Sequence, residues 1–512
     1  MSLPIATPDC ESLPAQRRWL PILLACCGFL YLSVFALPHI PHVATGDQAV
    51  YLHNAVRMLD GQLIYRDYDH FALPGTEVLY TVLFKLFGVR AWIPQAMLVL
   101  IGVLLAGLSF VISRQLLTGA AVFLPGFLFL TLPFTGYLDA THHWYSVLAA
   151  TVALALLIER RTPARLWCAG ISLGLGTCFN QSLVVVFMGF GLFVVWEGYR
   201  NEEPMISLLR KETCAFAGFL GIVVPFCAYF VRKVGLRQFL YHTVTFVATY
   251  YRADEANTWR IYMQGRPSLR LWTHWPDLVA WSLIHLLIPL VYILFCARYW
   301  QEARLRPDKP WERLMLVNIA GLSLFLAVAS APAWNRLYTV SLPALIMLVW
   351  LLDAPLKVER TLLRGLWGIV LILAIARPTV TQTRWRAYLD LPTGRTVFFE
   401  PVLYQATKWV HDRTQPGDYF FGDPLFCFDL RLRNPTRVAF VRPTDYTRPE
   451  EVRNVVEALE EHKVRFVGWY NGLDDPVEPA GDHLAPLRQY LQHRYRVAET
   501  FSNGDRIWER QK

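Results

Sequence analysis

The residues best suited to chemistry lie in a polar segment, residues 38–90, between the first two hydrophobic stretches of the chain. Asp47 opens this segment's polar part, and Asp69 and His70 follow further along. A carboxylate beside a hydrophobic stretch costs free energy unless it is used, so such an acid is a functional candidate. We therefore predict that Asp47 is either a general base that orients an acceptor group or a plain cap at the start of a helix.

The acids around His70 are candidates for an auxiliary or acceptor-binding role. Asp67 and Asp69, two positions apart, have the charge for a divalent cation, but an oxygen site needs more ligands than this run supplies. The alternative is a solvated loop with local ion pairs. The sequence therefore does not indicate a metal site or a certain cofactor, and a divalent cation stays an open alternative.

A third group lies in a short polar turn further along. We predict that Asp139 is a second catalytic carboxylate and that His142 and His143 are auxiliary groups that help to orient an acceptor. The alternative is a polar helix end with histidines at an interface. Two adjacent histidines alone are weak evidence for a metal ion.

Several cations recur near these acids and are candidates for binding a phosphate or a sugar. An arginine can hold a phosphate through two parallel hydrogen bonds, and a lysine can hold it as a point charge. The alternatives are side chains that anchor a helix by reaching the membrane surface, and an interfacial aromatic belt with arginines. The candidates are Lys85, Arg90, Arg252, Arg260 and Arg336.

The composition indicates what positions these residues. Hydrophobic residues make up 54% of the 512 residues and charged residues only 17%, whereas a soluble domain carries about 25% charged residues. The apolar residues form runs of about 15–23, the length of a membrane-spanning helix, without the alternation of a β-barrel. The net charge of +9 comes from Lys and Arg at the ends of these runs, so it does not indicate a nucleic-acid partner.

The basic clusters predict how the chain threads the membrane. Following the excess of Lys and Arg in cytoplasmic loops, we expect a cytoplasmic tail (1–18), a transmembrane domain (19–380) and an extracytoplasmic α/β domain (381–512). Residues 38–90 and 232–276 are then outer loops. About 11 spans are expected, at 19–37, 91–113, 118–137, 144–159, 166–179, 182–197, 214–231, 277–297, 312–330, 337–352 and 364–378.

Local patterns refine this topology. Residues 48–59 and 73–90 are expected to form interfacial helices that do not cross, and 166–197 a hairpin that turns at Asn180-Gln181. In the C-terminal domain, short apolar runs predict strands, and the apolar face within 450–462 predicts an amphipathic helix. The predicted strands are 419–421, 438–441 and 464–468.

Several short strings within about residues 19–200 resemble a known group of membrane enzymes. They are Gly46-Asp47-Gln48, Leu59 through Tyr65, Asp69 through Pro74, Tyr80 through Gly88, and Ala169 through Gln181. The pattern is similar to the GT-C class of integral-membrane glycosyltransferases, especially the branch of the protein O-mannosyltransferases and the aminoarabinose transferase of lipid A. The resemblance implies an essential acid at Asp47, a second outer acid at Asp139 and a polyprenyl-phosphate sugar as donor.

The chain departs from that pattern at two places, one of which is Asn180, where the family frequently has a lysine before the glutamine. Where the family often carries Lys-Pro-Pro-Leu, this sequence has Phe71 through Gly75 without the lysine. The resemblance then implies that Lys85, Arg90 or an arginine of residues 232–276 makes the phosphate contact.

Together these observations predict an inverting hexosyl- or pentosyltransferase in a bacterial inner membrane. It would move a sugar from a polyprenyl-phosphate donor to a glycan, lipid or protein acceptor on the outer face. Two alternatives are a lipid or polysaccharide transporter and a non-catalytic relative. A transporter more often buries charges near the midplane and shows a repeat between halves, whereas here the acids collect at one surface.

Overall fold

The computed structural model describes residues 19–511, apart from 253, 255–256, 268–274, 308, 354–356, 445 and 476–481. The predicted cytoplasmic tail, 1–18, lies outside the described residues, as does part of the predicted outer loop 232–276.

Most of the chain up to residue 383 is a bundle of helices. They are α1 (Trp19–Val34), α2 (Gly46–Leu59), α3 (Gly75–Phe87), α4 (Trp92–Ser113), α5 (Leu124–Phe129), α6 (His142–Leu157), α7 (Pro163–Phe179), α8 (Val184–Arg200), α9 (Met205–Val234), α10 (Leu236–Leu240), α11 (Trp275–Glu302), α12 (Trp311–Val328), α13 (Trp334–Thr339), α14 (Leu342–Leu352) and α15 (Lys357–Thr383). Wider π-helical turns extend α5 over Leu130–Phe134 and α10 over Tyr241–Thr245 and Val247–Tyr251.

Several of these helices match the dimensions of a membrane. Among the described residues, five helical segments are long and apolar enough to cross a bilayer, and four shorter apolar segments have 10–17 residues. The five are Trp92–Ser113, Gln181–Arg200, Met205–Val234, Trp275–Glu302 and Trp311–Val328. The predicted class, a polytopic helical membrane protein, is confirmed, whereas the number of crossings stays a prediction.

Contacts between helix ends show that the basic clusters share one end of the bundle. Arg161 pairs with Glu197 and, at 3.1 Å, with Glu312. At the same end, Arg313 donates to the backbone carbonyl of Gln115 at 3.3 Å. The basic residues after α4 and α6 and at the start of α12 thus lie together, as the charge pattern predicts. That this end faces the cytoplasm stays a prediction.

The helix α2 lies between the bundle and the C-terminal domain. Thr45 is its N-cap, and Gly61, with φ of 88°, follows its end. Leu52 is fully buried in the bundle's core, where a leucine side chain contributes about 2 kcal/mol. Ala49, on another side of the same helix, packs in the core of the C-terminal domain. The predicted helix at 48–59 is therefore present, and two hydrophobic cores hold it.

The segment 163–200 forms the predicted hairpin. The Asn180 side chain accepts a hydrogen bond from the backbone N–H of Ser182 at 3.1 Å and ends α7 at the turn. Glycines let α7 pack closely on α9: a Cβ at Gly170 would lie 2.1 Å from the Ala215 carbonyl oxygen, and one at Gly218 would lie 2.2 Å from that of Trp167. Small residues allow such close backbone approach between membrane helices.

The C-terminal domain has the predicted mixed α/β character. Two short strands between α1 and α2, β1 (Phe35–Ala36) and β2 (Ile40–Pro41), pair with each other outside this domain. The elements of the domain are β3 (Ala387–Leu391), β4 (Gly394–Phe398), α16 (Pro401–His411), β5 (Phe420–Phe421), α17 (Pro424–Asp429), α18 (Pro449–Glu461), β6 (Phe466–Trp469), α19 (Ala485–Arg494), β7 (Tyr495–Thr500) and β8 (Arg506–Arg510). The strands β3 and β4 form a hairpin, and the other four form a sheet of order β5-β6-β8-β7 in which only the β5–β6 pair is parallel.

Two of the three predicted strands in this domain are present, as β5 and β6, and the predicted helix at 450–462 is α18. The strand predicted at 438–441 is wrong, because this segment is irregular. Its apolar side chains are buried or half-buried against a cavity and against other loops instead of in a sheet. The apolar run at 438–441 therefore reflects burial of these side chains and not pairing in a sheet.

Backbone contacts attach this domain to the polar end of the bundle. The N–H of Val43 donates to the Val397 carbonyl at 3.1 Å, and the N–H of Asp69 donates to that of Arg437 at 2.8 Å. The side chain of Arg437 also pairs with the Asp69 carboxylate at 2.8 Å. The described residues from 437 to 451, which we call the roof segment, are thereby held over the helix ends.

Candidate active site

A deep cavity of about 730 Å³ lies between the polar end of the bundle and the roof segment. Its walls come from the start of α2, the loop at 69–72, the starts of α6 and α13, the turn at 180–182 and the segment around 242–265. The roof segment closes one side with Phe440, Arg442, Tyr446, Arg448 and Glu451. The polar elements expected on the outer face therefore converge on one space.

Asp47 lies in the first turn of α2 and lines this cavity. The N-cap position belongs to Thr45, so the carboxylate is not the helix cap. The side chain is exposed to the cavity, yet it lies deep inside the molecule. Burial raises the pKa of Asp47, and the positive charges of Arg336 and Arg442 oppose that rise. A carboxylate with these neighbours suits the acceptance of a proton.

Arg336, on α13, lines the same cavity and is held by neutral oxygen atoms. It donates to the Tyr251 hydroxyl, to the Ala331 carbonyl at 2.9 Å and to the Asn257 amide oxygen at 3.4 Å. Within the described part of the chain, Arg336 makes no ion pair with a carboxylate. Its charge therefore remains available to an anion in the cavity.

The other predicted cations divide into two groups. Arg252 lines the cavity, whereas Lys85, Arg90 and Arg260 do not. The side chains of Lys85 and Arg90, at and beyond the end of α3, are exposed, and so is that of Arg260. The structure thus brings Arg252 and Arg336 together with Asp47 and leaves the other three cations outside.

The cavity also contains two arginines of the roof segment, which sequence reasoning did not select. Arg442 pairs with Asp254 at 3.3 Å, and Arg448 pairs with Glu451 at 2.5 Å. Sequence analysis misses Arg442 because the preceding residues, 438–441, are interpreted as a strand. It misses Arg448 because this residue lies at the start of a predicted amphipathic helix. Arginines alternating with aromatic residues between 440 and 448 are the signal that marks them.

Asp139 is buried behind the cavity wall instead of lining it. It accepts a hydrogen bond from the Tyr137 hydroxyl at 2.9 Å. The neighbouring Ala140 N–H donates to the side chain of Gln48 at 3.0 Å, which ties this turn to α2. Burial raises the pKa of Asp139 well above its ordinary value, and the negative charge of Asp47 adds to the rise. Asp139 therefore suits a supporting role behind the wall of the cavity.

The three predicted histidines all line the cavity. Tyr51 packs between two of them, with ring centroids 5.2 Å from His70 and 5.1 Å from His142, and His143 lies 3.9 Å from His142. Asp69 also lines the cavity, where it pairs with Arg437 at 2.8 Å and lies 3.6 Å from His242. In the described ranges, no group of three or more metal-binding side chains is arranged to hold a metal ion.

One side of the cavity is apolar. Val247 faces it from the π-helical extension of α10 and Ile261 from the segment that follows, and Leu326 and Val328 face it from the end of α12. Aromatic side chains continue this surface toward the roof segment, where Tyr446 lies 5.6 Å from Phe246 between ring centroids. The cavity thus presents charged groups next to a hydrocarbon-like wall.

Solved structures with similar folds define the class of this architecture. The aminoarabinose transferase ArnT from Cupriavidus metallidurans, bound to undecaprenyl phosphate, aligns over 96% of this chain and 98% of its own with a TM-score of 0.59 and 13% identity. Its apo form aligns over the same shares with a TM-score of 0.59 and 14% identity. The archaeal oligosaccharyltransferase AglB from Archaeoglobus fulgidus, in complex with an inhibitory peptide and a dolichol-phosphate, covers 98% of this chain and 75% of its own with a TM-score of 0.52 and 12% identity.

The chain therefore has the fold of the GT-C glycosyltransferases, and the predicted fold class is confirmed. No protein-family model matches the sequence, and no curated protein matches it. The likeness lies in the three-dimensional arrangement, at identities of 12–14%.

Proposed function

We propose that this protein is a glycosyltransferase that moves a sugar from a polyprenyl-phosphate donor to a hydroxyl group of an acceptor on the outer face of the membrane. The observation that carries the proposal is the cavity in which Asp47 and Arg336 meet beside an apolar wall. A proton acceptor, an anion-binding group and a surface for hydrocarbon are what this reaction requires. The fold shared with ArnT and AglB supports the same class.

In the proposed reaction, Asp47 accepts the proton of the acceptor hydroxyl while its oxygen attacks the anomeric carbon of the donor sugar. The bond from that carbon to the phosphate oxygen breaks, and the polyprenyl phosphate leaves with the bonding electron pair. Arg336, which has no carboxylate partner in the described part of the chain, stabilises the charge that develops on the leaving phosphate. A single displacement of this kind inverts the anomeric centre.

The apolar wall suggests how the lipid chain of the proposed donor is oriented in the cavity. Leu326 and Val328 belong to the end of a helix that is apolar enough to cross a membrane. A lipid chain that lies along this end brings its phosphate into the cavity beside Arg336.

The acceptor would enter from the side of the roof segment. Phe440, Tyr446 and Thr447 contribute apolar surface and a hydroxyl group there. We keep a glycan, a lipid and a protein as acceptor classes, and either a hexose or a pentose as the transferred sugar. The setting we propose is a bacterial inner membrane, with the cavity and the C-terminal domain outside the cytoplasm.

The substitution Asp47→Asn tests the proposal. We expect loss of transfer from a polyprenyl-phosphate sugar by at least about a hundredfold, the low end of the contribution of a general base, with binding of polyprenyl phosphate retained. The matched control is Asp60→Asn, because Asp60 is exposed at the other end of α2.

Full activity of the Asp47→Asn variant would remove Asp47 from the reaction. Donor binding without turnover over a panel of glycan, lipid and protein acceptors would favour the non-catalytic relative. Movement of the lipid between leaflets without sugar transfer would favour the transporter.

A further inference from the structure

A cluster of aromatic rings, which we call the aromatic platform, lines the cavity on the side of the roof segment. The rings come from three separate parts of the chain: the loop at 69–72, the segment around 242–265 and the roof segment. They are Phe71, Phe246, Tyr251, Phe440 and Tyr446. Because the roof segment belongs to the C-terminal domain, the platform is complete only where the two domains meet.

The rings of the platform contact one another. Between ring centroids, Tyr446 lies 5.6 Å from Phe246 and 6.0 Å from Phe440. Phe71 lies 4.7 Å from Tyr251 and 6.4 Å from Tyr446. Phe246 is buried, whereas the other four rings are only half-buried. The platform therefore keeps apolar ring surface that a molecule in the cavity can cover.

The platform lies next to the groups that we assign to the reaction. The Tyr251 hydroxyl accepts a hydrogen bond from Arg336. The Phe71 ring lies 5.3 Å from that of His70, which also lines the cavity. A molecule that covers the platform is therefore beside the place where we propose that the donor phosphate binds.

Polar groups accompany the aromatic rings. Asp69, two residues before Phe71, lines the cavity, and its Oδ1 accepts a hydrogen bond from Arg437 at 2.8 Å. Among the described residues, its Oδ2 has no hydrogen-bond partner, so this oxygen can accept from a hydroxyl group. The Nε2 atom of His242 lies 3.6 Å from Asp69 Oδ1, and His242 lines the cavity as well.

The charges around the platform disfavour a hydrocarbon ligand. The guanidinium carbon of Arg442 lies 5.2 Å from the ring centroid of Tyr446, and that of Arg448 lies 5.7 Å from that of Phe246. Both arginines also pair with carboxylates. A hydrocarbon chain on these rings would remove water from the ion pairs without replacing its hydrogen bonds. The platform therefore suits a hydroxylated ligand, unlike the aliphatic wall at the end of α12.

We infer that the acceptor is a sugar and that the aromatic platform binds its pyranose ring. A pyranose has an apolar face of C–H groups that packs on aromatic rings. It also has hydroxyl groups around its edge, which the Asp69 carboxylate and the His242 imidazole can bind. This inference names the acceptor class of the proposed function and rests on it. The bonds that form and break are those of the proposed reaction, with a sugar hydroxyl as the attacking group.

Binding of simple sugars can be measured without a donor. The probes are the methyl glycosides of glucose, galactose, mannose and N-acetylglucosamine, added to the full-length protein in a detergent without a sugar headgroup. In saturation-transfer NMR, we expect at least one glycoside to bind. Tyr446→Leu keeps an apolar side chain but removes the ring, so it should weaken this binding by about tenfold, whereas Tyr446→Phe should stay within about twofold of wild type.

The matched control is Tyr419→Leu, because Tyr419 is an exposed aromatic residue of the C-terminal domain outside the cavity. We expect this variant to bind the glycoside as wild type does. No binding of any of the glycosides, or equal binding by Tyr446→Leu and wild type, would overturn the inference.

Kinetics separate a binding role from a structural one. With a polyprenyl-phosphate sugar as donor and the bound glycoside as acceptor, Tyr446→Leu should raise KM for the glycoside by about tenfold and leave KM for the donor unchanged. A general loss of structure would affect both substrates. A rise in KM for the donor alone would assign the platform to the donor sugar and contradict the inference.

These results distinguish the inference from the proposed function. If the glycosides bind at Tyr446 but no sugar is transferred from the lipid donor, the proposed function fails and the sugar site remains. If the protein transfers sugar only to lipid or peptide acceptors, the proposed function stands and the inference fails.

Discussion

At the scale of single residues, the arginines of the cavity differ in whether a carboxylate already neutralises their charge or leaves it available to bind an anion. Arg442 and Arg448 have carboxylate partners, whereas Arg336 is held by a hydroxyl, an amide oxygen and a backbone carbonyl. An arginine positioned by neutral groups keeps its affinity for an anion. Arg336 is therefore the residue on which we expect the binding of the donor phosphate to depend most.

The first prediction concerns this arginine. Arg336→Gln should weaken binding of a polyprenyl phosphate by about tenfold to a hundredfold, because a hydrogen bond to a charged group contributes about 1.5–3 kcal/mol. Lys85→Gln is the control, since Lys85 is exposed on α3 outside the cavity. Titration calorimetry or fluorescence with the lipid in detergent measures both. Equal losses in the two variants would show that the phosphate binds elsewhere.

A second residue-scale prediction concerns the pH dependence of stability. The pKa of Glu77 rises from 4.5 to about 8 on burial, so the folded state holds a proton that the unfolded chain releases. Raising the pH from about 5 to about 8 therefore lowers the free energy of unfolding, and the loss is complete above the folded pKa.

Glu77→Gln has no such proton, so its stability should change less over this pH range. Thermal unfolding of both proteins in detergent between about pH 5 and 8 tests this prediction, and the groups that titrate in both proteins cancel in the comparison. Parallel pH profiles for the two proteins would show that Glu77 is ionised in the fold.

At the scale of elements, the sequence predicts much of what depends on length and periodicity. The helices α2 and α3 and the hairpin at Asn180 follow from apolar stripes, run lengths and a polar interruption. The roof segment does not follow from such patterns, because its apolar residues are buried against a cavity that exists only after the two domains meet. Arg442 and Arg448 remained hidden for the same reason, and so did the exclusion of Lys85 from the site.

The close crossing of α7 and α9 gives an element-scale prediction. A methyl group at Gly170 would meet a backbone carbonyl at 2.1 Å, so Gly170→Ala should force the helices apart and destabilise the protein by about 1–3 kcal/mol. The control is Gly221→Ala on α9, where a Cβ has no neighbour within 4 Å and the gain in helix propensity is about 1 kcal/mol. Thermal melts in detergent compare the two. An unchanged melting temperature for Gly170→Ala would contradict this packing.

At the scale of the whole molecule, the two ends of the bundle differ in chemistry. One end gathers the basic clusters around Arg161, and the other holds the cavity and the C-terminal domain. The rule that links positive charge to the cytoplasmic side then places Asn503, in an exposed turn of the C-terminal domain, outside the cytoplasm.

Labelling of single cysteines tests this orientation. In a background with Cys10 and Cys168 replaced by serine, of which Cys168 is exposed in the described part of the chain, Asn503→Cys should react with a membrane-impermeant maleimide added to whole cells, after permeabilisation of any outer membrane. Arg160→Cys, exposed at the basic end of the bundle, should react only after lysis. The reverse pattern would put the cavity on the cytoplasmic side and would exclude a reaction on the outer surface.

The position of α2 between two hydrophobic cores has a consequence for biosynthesis. Ala49 packs with residues of the C-terminal domain, and Leu52 packs with the bundle. A nascent chain that has inserted its helices but has not yet released its last hundred or so residues from the ribosome still lacks half of this support. We therefore expect the helix that carries Asp47 to complete its packing only after the C-terminal domain has folded.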